Sequence, residues 1–477
     1  MKTKEHGRSD LLNPEFIGIM AASVAGIILT IYVFYPGYMS FDSVNQLTQG
    51  RQGLFNDWNP PVMSWLWGQI DRVMHGPIGM LTLHSLLFWI GLGMWIYLVI
   101  PGWPAPIKAL AVLVIGLFPP IFMLLSTIWK DVGMASSLLF ASGWLALAEQ
   151  KGSLRAFLIG LMGMWFAMAL RHNAVFALFP LMIYAGKILY NRIDIPFNWF
   201  KRHRFVMSGV LGLGLLGILL LTTTLIGHLL TRFSTTYAHQ QILVHDLVAM
   251  SISANEVLLP DYLTSPQQAT ITELKKIYNT QFAVVCLYGG CGVSELRIKM
   301  YNTPDIDAAT KNVWIKAVLT HPKAYIIHRL RQFRRQFGIG GKTVCYPYIT
   351  DNDQNALTIF GIDQNSLGTF RQEPAITRII IRAVEKVKNS PIFRGWIYLA
   401  FLTLLLVYIL LTRRQNSSVP TAMIAVGSSG WLYGLSYLPL STTCDFRMHY
   451  WTVVAAMICG AAFLGLFSGA FRSSRTT

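Results

Sequence analysis

Charge is scarce in this sequence. Only 13% of its 477 residues are Asp, Glu, Lys or Arg, against 53% hydrophobic, and the mean hydropathy is +0.46. Soluble domains carry about 25% charged residues, so an ordinary water-soluble fold is excluded. What remains is a chain whose runs of about twenty apolar residues span a bilayer. Acid is scarcer than base: 22 Asp and Glu against 39 Lys and Arg leave a net charge of +17. In a soluble protein that excess would point to nucleic acid. Here much of it follows from Lys and Arg collecting in short cytoplasmic loops, and no nucleic-acid partner is expected. Cysteine is rare, five in all, and no His or second Cys pair stands at zinc spacing. Internal repeats and low-complexity tracts are absent, which weighs against a repeat-built transporter.

Ten apolar runs are present, near 15–36, 78–100, 107–128, 132–148, 156–170, 174–190, 205–230, 393–412, 420–440 and 450–470. The fold expected is an all-α polytopic membrane protein of about ten spans. The basic N-terminus (Lys2, Lys4, Arg8, with Asp10) leads into a full-length run and reads as an uncleaved signal anchor. Basic clusters at Lys151/Arg155, Lys187 to Arg204 (with Lys201, Arg202 and His203), Arg413/Arg414 and Arg472/Arg475 all fall on one side if both termini are cytoplasmic. That topology divides the chain into a transmembrane module at 1–230 with a first outer loop at 37–77, a mainly helical periplasmic segment at 231–391, and closing spans at 392–477. Within the outer segment Cys286-Leu-Tyr-Gly-Gly-Cys291 sets two thiols about a Gly-Gly turn. A local disulfide is expected there in an oxidising compartment, with metal binding as the rival.

Ionisable groups beside a membrane core are costly and point to function. The densest set follows the first run, Tyr35-Pro36-Gly37-Tyr38-Met39-Ser40-Phe41-Asp42-Ser43-Val44-Asn45-Gln46. Pro36 and Gly37 end the helix, and Ser40 is suited to cap a short new one along the interface. Asp42 there stands between lipid and water, a setting that raises a carboxyl pKa toward a useful base; the other reading is that it caps the first turn. Next come Asp57-Trp58-Asn59-Pro60-Pro61, where Asn59 reads as an N-cap, and the tight turn Trp129-Lys130-Asp131. Arg171-His172-Asn173 follows, with Arg171 a candidate anion ligand or a snorkelling anchor. The last cluster is Asp445-Phe446-Arg447, whose two charges can simply pair. In the outer segment a helix from His321 to Phe337 carries an apolar stripe (Ile326, Leu330, Phe333, Phe337). Lys323, His328, Arg329, Arg331, Arg334 and Arg335 cover the rest, a pattern expected to rest on an anionic lipid surface.

At these clusters the chain resembles bacterial polytopic membrane proteins classed with the GT-C glycosyltransferases. The resemblance rests on Tyr-Pro-Gly-Tyr-Met-Ser-Phe-Asp42-Ser43 with Gln46, on Asp57-Trp58-Asn59-Pro60-Pro61, on Trp129-Lys130-Asp131, on Arg171-His172-Asn173, and on the Trp314…Pro322…Tyr325…Arg329 pattern. It covers most of the chain and is strongest over roughly the first 175 residues. One departure is Asn59, where relatives tend to carry a His; Asn cannot take a proton. The resemblance implies transfer of a sugar from a polyprenyl-phosphate donor to a lipid or cell-envelope glycan acceptor on the periplasmic face of the bacterial inner membrane. It makes Asp42, Asp57 and Asp131 the candidate catalytic carboxylates. Gln46, Asn59, Lys130, Arg171, His172, Asn173, Arg329, Asp445 and Arg447 become the candidate substrate contacts. No organic cofactor is implied, and a divalent cation on Asp131 or Asp57 stays an open alternative. A polysaccharide polymerase or ligase acting on the same lipid-linked substrates is the nearest rival, and a transporter the next.

Overall fold

The computed structural model describes residues 14–193, 202–264, 268–280, 286–288, 292, 294–341, 345–367, 374–412 and 418–473. Lys2, Lys4, Arg8, Asp10, Lys201, Cys291, Arg413, Arg414 and Arg475 lie outside these residues. Among the described residues the regular structure is helical, with two single β-bridges, Tyr38 to Thr127 and Tyr346 to Asp445.

Helix α1 (Pro14–Phe34) comes first. It stops at the Pro36-Gly37 pair because proline lacks the N–H a helix needs and Gly37 turns the chain at φ +109°. Short helices α2 (Phe41–Gln52) and α3 (Pro61–Asp71) follow, then α4 (Ile78–Val99). Next, α5 (Ala105–Gly116) and α6 (Pro119–Leu125) make one apolar stretch bent by 67° where Pro119 and Pro120 interrupt it. Helices α7 (Lys130–Lys151), α8 (Leu154–Leu170), α9 (Ala174–Tyr190) and α10 (Arg204–Leu230) complete the first half. The long segment after them contains α11 (Gln240–Ala254), α12 (Pro304–Thr320), α13 (Pro322–Gln336), α14 (Gln354–Ile359) and α15 (Ala375–Val387). The chain closes with α16 (Gly395–Thr412), α17 (Ser418–Leu435), the single turn α18 (Tyr437–Leu440) and α19 (Tyr450–Ser473).

By length and apolarity six helical stretches among the described residues can cross a membrane: α1, α4, α7, α10, α16 and Phe446–Leu466, which contains most of α19. The bent α5–α6 pair makes a seventh if counted as one span. The apolar helices α8 and α9 are shorter, 17 residues each, near the lower limit for a bilayer. This is a multi-pass membrane protein. Lys130 and Asp131 are not in a turn, as the pattern predicts, but form the first turn of α7.

Burial explains why α7 is the pivot of the bundle. It packs against α4 and α8, and also meets α9, α17 and α19, so Val132, Met134, Ala135, Leu138 and Leu139 are fully enclosed. A buried tryptophan usually finds an acceptor for its indole N–H: Trp89 donates to Thr30 Oγ1 at 2.9 Å, Trp95 to Ser142 Oγ at 3.1 Å, and Trp451 to Ser429 Oγ at 2.9 Å. Ser429 Oγ in turn donates to the Ala177 carbonyl, which ties α17 and α19 to α9.

The segment 231–391 divides by packing. Residues from Val244 to Ala317 build a separate core around Leu247, Leu263, Leu274 and Ile298. Phe337, Tyr348, Leu357, Leu367, Val384 and Phe393 belong instead to the core of the bundle. Helix α13, which joins the two parts, splits the expected apolar stripe and turns two of its basic residues inward. His328, Arg329, Gln332 and Gln336 are buried, whereas Ile326, Ile327 and Leu330 are exposed with Lys323, Arg331 and Arg334. Its polar face is turned inward because it meets buried partners there, as the next subsection shows. Of the expected Cys286–Cys291 pair, Cys286 is described and buried, and Cys291 lies outside the described residues. Cys345 and Cys444 form a disulfide, with Cα atoms 5.0 Å apart across 99 positions of sequence.

Candidate active site

The backbone after α1 decides where Asp42 stands. Tyr38 N–H donates to the Ser126 carbonyl and Ile128 N–H to the Tyr38 carbonyl, each at 2.9 Å. This lays residues 38–43 against the approach to α7. Ser40 caps α2 through a capping box with Ser43. Ser43 Oγ also donates to the Ile128 carbonyl at 2.7 Å, and Trp129 Nε1 donates to Ser40 Oγ at 2.7 Å. Underneath, α2 and α3 touch backbone to backbone at Gly50 and Gly68: a Cβ on Gly50 would lie 2.5 Å from the Ser64 carbonyl oxygen. Asp42 is thereby fixed beside the start of α7, which carries Lys130 and Asp131.

Three cations and three carboxylates meet at this point. Arg447, on the 3-10 turn Phe446–His449, places Nη2 2.9 Å from Asp42 Oδ2 and Nε 2.8 Å from Asp445 Oδ2, with Asp131 Oδ2 at 4.0 Å. Its guanidinium lies over the Trp129 ring, 4.8 Å from the centroid. Arg171, in the turn between α8 and α9, pairs with Asp131 Oδ1 and donates to Asn173 Oδ1 at 2.7 Å and to Tyr437 Oη at 3.1 Å. Asn173 Nδ2 donates to the same Tyr437 oxygen at 3.1 Å, and Tyr437 shares a 2.8 Å hydrogen bond with Tyr433. Lys130 Nζ donates to Asn59 Oδ1. No carboxylate among the described residues is within ion-pairing distance of that ammonium.

The electrostatics of Asp42 follow from this ring of charge. Partial burial works to raise its pKa. The charges of Arg447 and Lys130, a hydrogen bond from Arg447 and the more distant Arg171 outweigh that and bring it down to about 2. The upward shift expected of a carboxyl at the interface is therefore corrected: Asp42 is held ionised. Asp445 moves the other way. Burial raises it, Asp131 and Asp42 add to the rise, and Arg447 opposes it.

Of the residues singled out in the sequence, Asp42, Asn59, Lys130, Asp131, Arg171, Asn173, Asp445 and Arg447 converge. Asn59 is not the cap of α3, which has Pro60 as its N-cap; its side chain serves Lys130 instead. Asp131 is wholly buried, and its carboxylate faces the two guanidiniums. Asp57 stands apart and accepts from Thr236, at 2.6 Å from the backbone N–H and 2.5 Å from the hydroxyl. His172 is exposed in the turn beside Arg171. Gln46 is buried on α2, with neither amide atom hydrogen-bonded. Arg329 is engaged by buried partners. Nη2 lies 2.5 Å from Asp246 Oδ2, and Nη1 donates to the Ser441 carbonyl at 3.0 Å. Asp246 also faces His328 at 3.2 Å and accepts from Trp314 Nε1 at 2.9 Å. That buried network is what draws the polar face of α13 inward.

Sequence reasoning missed Tyr437 and Tyr433, which anchor Arg171 and sit in an apolar stretch with no motif around them, and Asp246, an isolated acid on α11. The (i, i+4) spacing of the two tyrosines was the one signal that could have found them. The carboxylates do not fit a divalent cation. Asp131 is taken by Arg171 and Asp57 by Thr236, and no three His, Cys, Asp or Glu among the described residues group as metal ligands. Compared with protein-family models, with curated proteins and with solved structures, the chain shows no match in any of the three.

Proposed function

We propose that this chain is a GT-C-type glycosyltransferase that moves a sugar from a polyprenyl-phosphate donor to a hydroxyl of a lipid or cell-envelope glycan. In this reading it has ten spans, α8, α9, α17 and the bent α5–α6 pair included, lies in the bacterial inner membrane with both termini cytoplasmic, and works on the periplasmic face. One observation carries the reading. An ionised carboxylate, Asp42, stands beside a lysine ammonium that is held by an amide and not by an acid. A phosphate leaving group needs positive charge at its oxygens, and an attacking hydroxyl needs a proton acceptor. Lys130 supplies the first and Asp42 the second. Arg171 is largely occupied by Asp131, Asn173 and Tyr437, so its positive charge supports the donor phosphate from behind Lys130. Phosphate leaves without protonation, and no second catalytic acid is required.

Purified protein given radiolabelled polyprenyl-phosphate sugars should release or transfer the sugar. Lys130→Gln should weaken donor binding about 10–100-fold, the loss typical of one charge-assisted contact of about 1.5–3 kcal/mol. Titration of donor binding checks this, and unchanged affinity would move the phosphate site elsewhere. The topology is open to cysteine labelling. Gly152→Cys and Arg202→Cys should react with an impermeant maleimide only after permeabilisation, and Thr350→Cys in intact cells.

A further inference from the structure

We infer that Gln336 and the Cys345–Cys444 disulfide are positioning elements for the Asp42–Arg447 pair, and that the site depends on the thiol state of a bond it does not contain. The turn that carries Arg447 is buried through Phe446 and His449, and Gln336 meets it at His449 as well, its carbonyl 3.0 Å from His449 Nε2. The backbone of the turn is held from the segment beginning at the end of α13. The buried Gln336 side chain donates Nε2–H to the Asp445 carbonyl at 2.7 Å and accepts the Asp445 N–H on Oε1 at 3.3 Å, so one amide satisfies both backbone groups of one residue. Phe446 N–H donates to the Tyr346 carbonyl at 3.0 Å, next to the disulfide that fixes Cys444. Asp445, so placed, accepts Arg447 N–H at 3.1 Å and pairs with its Nε. The same segment grips the other partner's loop. Asn352 Oδ1 accepts the Met39 N–H at 2.8 Å, and Asp353 N–H donates to the Met39 carbonyl at 2.9 Å. Gln336, Tyr346, Asn352 and Asp353 thus hold both stretches of chain that bring Asp42 and Arg447 within 2.9 Å. A disulfide limits how far the ends of such a clamp can part; reduced thiols do not.

The activity part of this inference rests on the glycosyltransferase reading; the conformational part does not. Full-length protein in nanodiscs is compared oxidised, reduced with a phosphine, as Cys345→Ala/Cys444→Ala and as Gln336→Leu, with hydrogen exchange, thermal unfolding and transfer from a polyprenyl-phosphate sugar measured on each. Reduction of folded protein needs no refolding and keeps the comparison valid if a variant folds poorly. Exchange at residues 443–448 should rise about 10-fold or more, the mark of a local opening made easier. Turnover should fall about 10²-fold, the scale of a misplacement near 1 Å. The loss should lie in kcat, not in the KM for donor, because Lys130 and Asn59 are untouched. With Arg447 loosened, Asp42 keeps only Lys130 and Arg171 as cations near it, and the acid limb of the rate should rise toward the ordinary carboxylate range, about 4. A merely structural bond would not move that limb. In the double-alanine protein reduction should move neither exchange at 443–448 nor turnover, which separates the Cys345–Cys444 bond from any effect of reducing a disulfide at Cys286. Exchange at 443–448 that is the same in every form overturns the clamp. A rise in exchange with no transfer by any form, the oxidised included, upholds the clamp and sinks the glycosyltransferase reading instead.

Discussion

Asp42→Asn is expected to lower turnover by about 10²–10⁴, the range for loss of a general base, while the protein stays folded, inserted and able to bind donor. The fold should survive because Arg447 keeps Asp445 at 2.8 Å when Asp42 no longer carries charge. Donor binding should hold or tighten, since removing a negative charge near Lys130 strengthens the local positive field. The pH dependence follows from the same geometry. A carboxyl held down to about 2 is an active acceptor above that value and loses its role only as the pH falls through it. Between about pH 5 and 8, therefore, Asp42 should contribute no acid limb. A carboxylate this acidic takes the proton late, once bond formation has made the attacking hydroxyl itself acidic. Steady-state rates and donor titrations on the purified variant check these points together. An Asp42→Asn protein that turns over within about tenfold of the natural rate would exclude Asp42 as base, given the size of effect a general base commands. Asp445, the other partly exposed carboxylate on Arg447, would then be tested next.

The second large effect is on stability. Arg171→Ala should destabilise the protein by about 3 kcal/mol, because it leaves the buried Asp131 carboxylate with only Arg447 Nε, 4.0 Å away, as a nearby cation. Tyr437 and Asn173 lose their shared anchor as well. Removing both charges, in Arg171→Ala/Asp131→Ala, should recover more than half of that loss, since the cost lies in the orphaned charge. Turnover should not recover with it, because the positive charge behind Lys130 is still missing. Thermal unfolding in detergent, read with the transfer assay, separates the two. If the double variant is no more stable than the single, Asp131 and Arg171 do not act as a pair.

The pairings also show how the site remains electrically neutral in a low-dielectric setting. Three carboxylates and three cations balance, yet they are not equally engaged. Arg447 is shared by Asp42 and Asp445, and Arg171 is committed to Asp131. Lys130 keeps its ammonium for an amide oxygen. A buried charge pair with every partner fixed is a structural device, whereas the least committed cation is the one that can exchange its partner for a substrate phosphate.

What the sequence alone determined is whatever depends on short range. The apolar runs locate the spanning helices, because a backbone in lipid must bond to itself and about twenty apolar residues permit it. Pro36-Gly37 and Ser40 mark a break and a cap through local sterics and single hydrogen bonds, and the structure has them at those residues; the bend at Pro119-Pro120, inside a run read as one span, came only with the structure. Charged residues near span ends are few and costly, which is why Asp42, Lys130, Asp131, Arg171, Asp445 and Arg447 stand out in the sequence. The tertiary structure decided who partners whom. Nothing local relates Arg447 to Asp42, at opposite ends of the chain, Gln336 to the Asp445 backbone, or Arg329 to Asp246. It also decided the face of α13, since a helical pattern says which residues share a side but not which side meets a buried acid. The direction of the Asp42 shift was likewise beyond the sequence. Burial and neighbouring cations act with opposite sign, and only the distances to Arg447 and Lys130 determine which prevails.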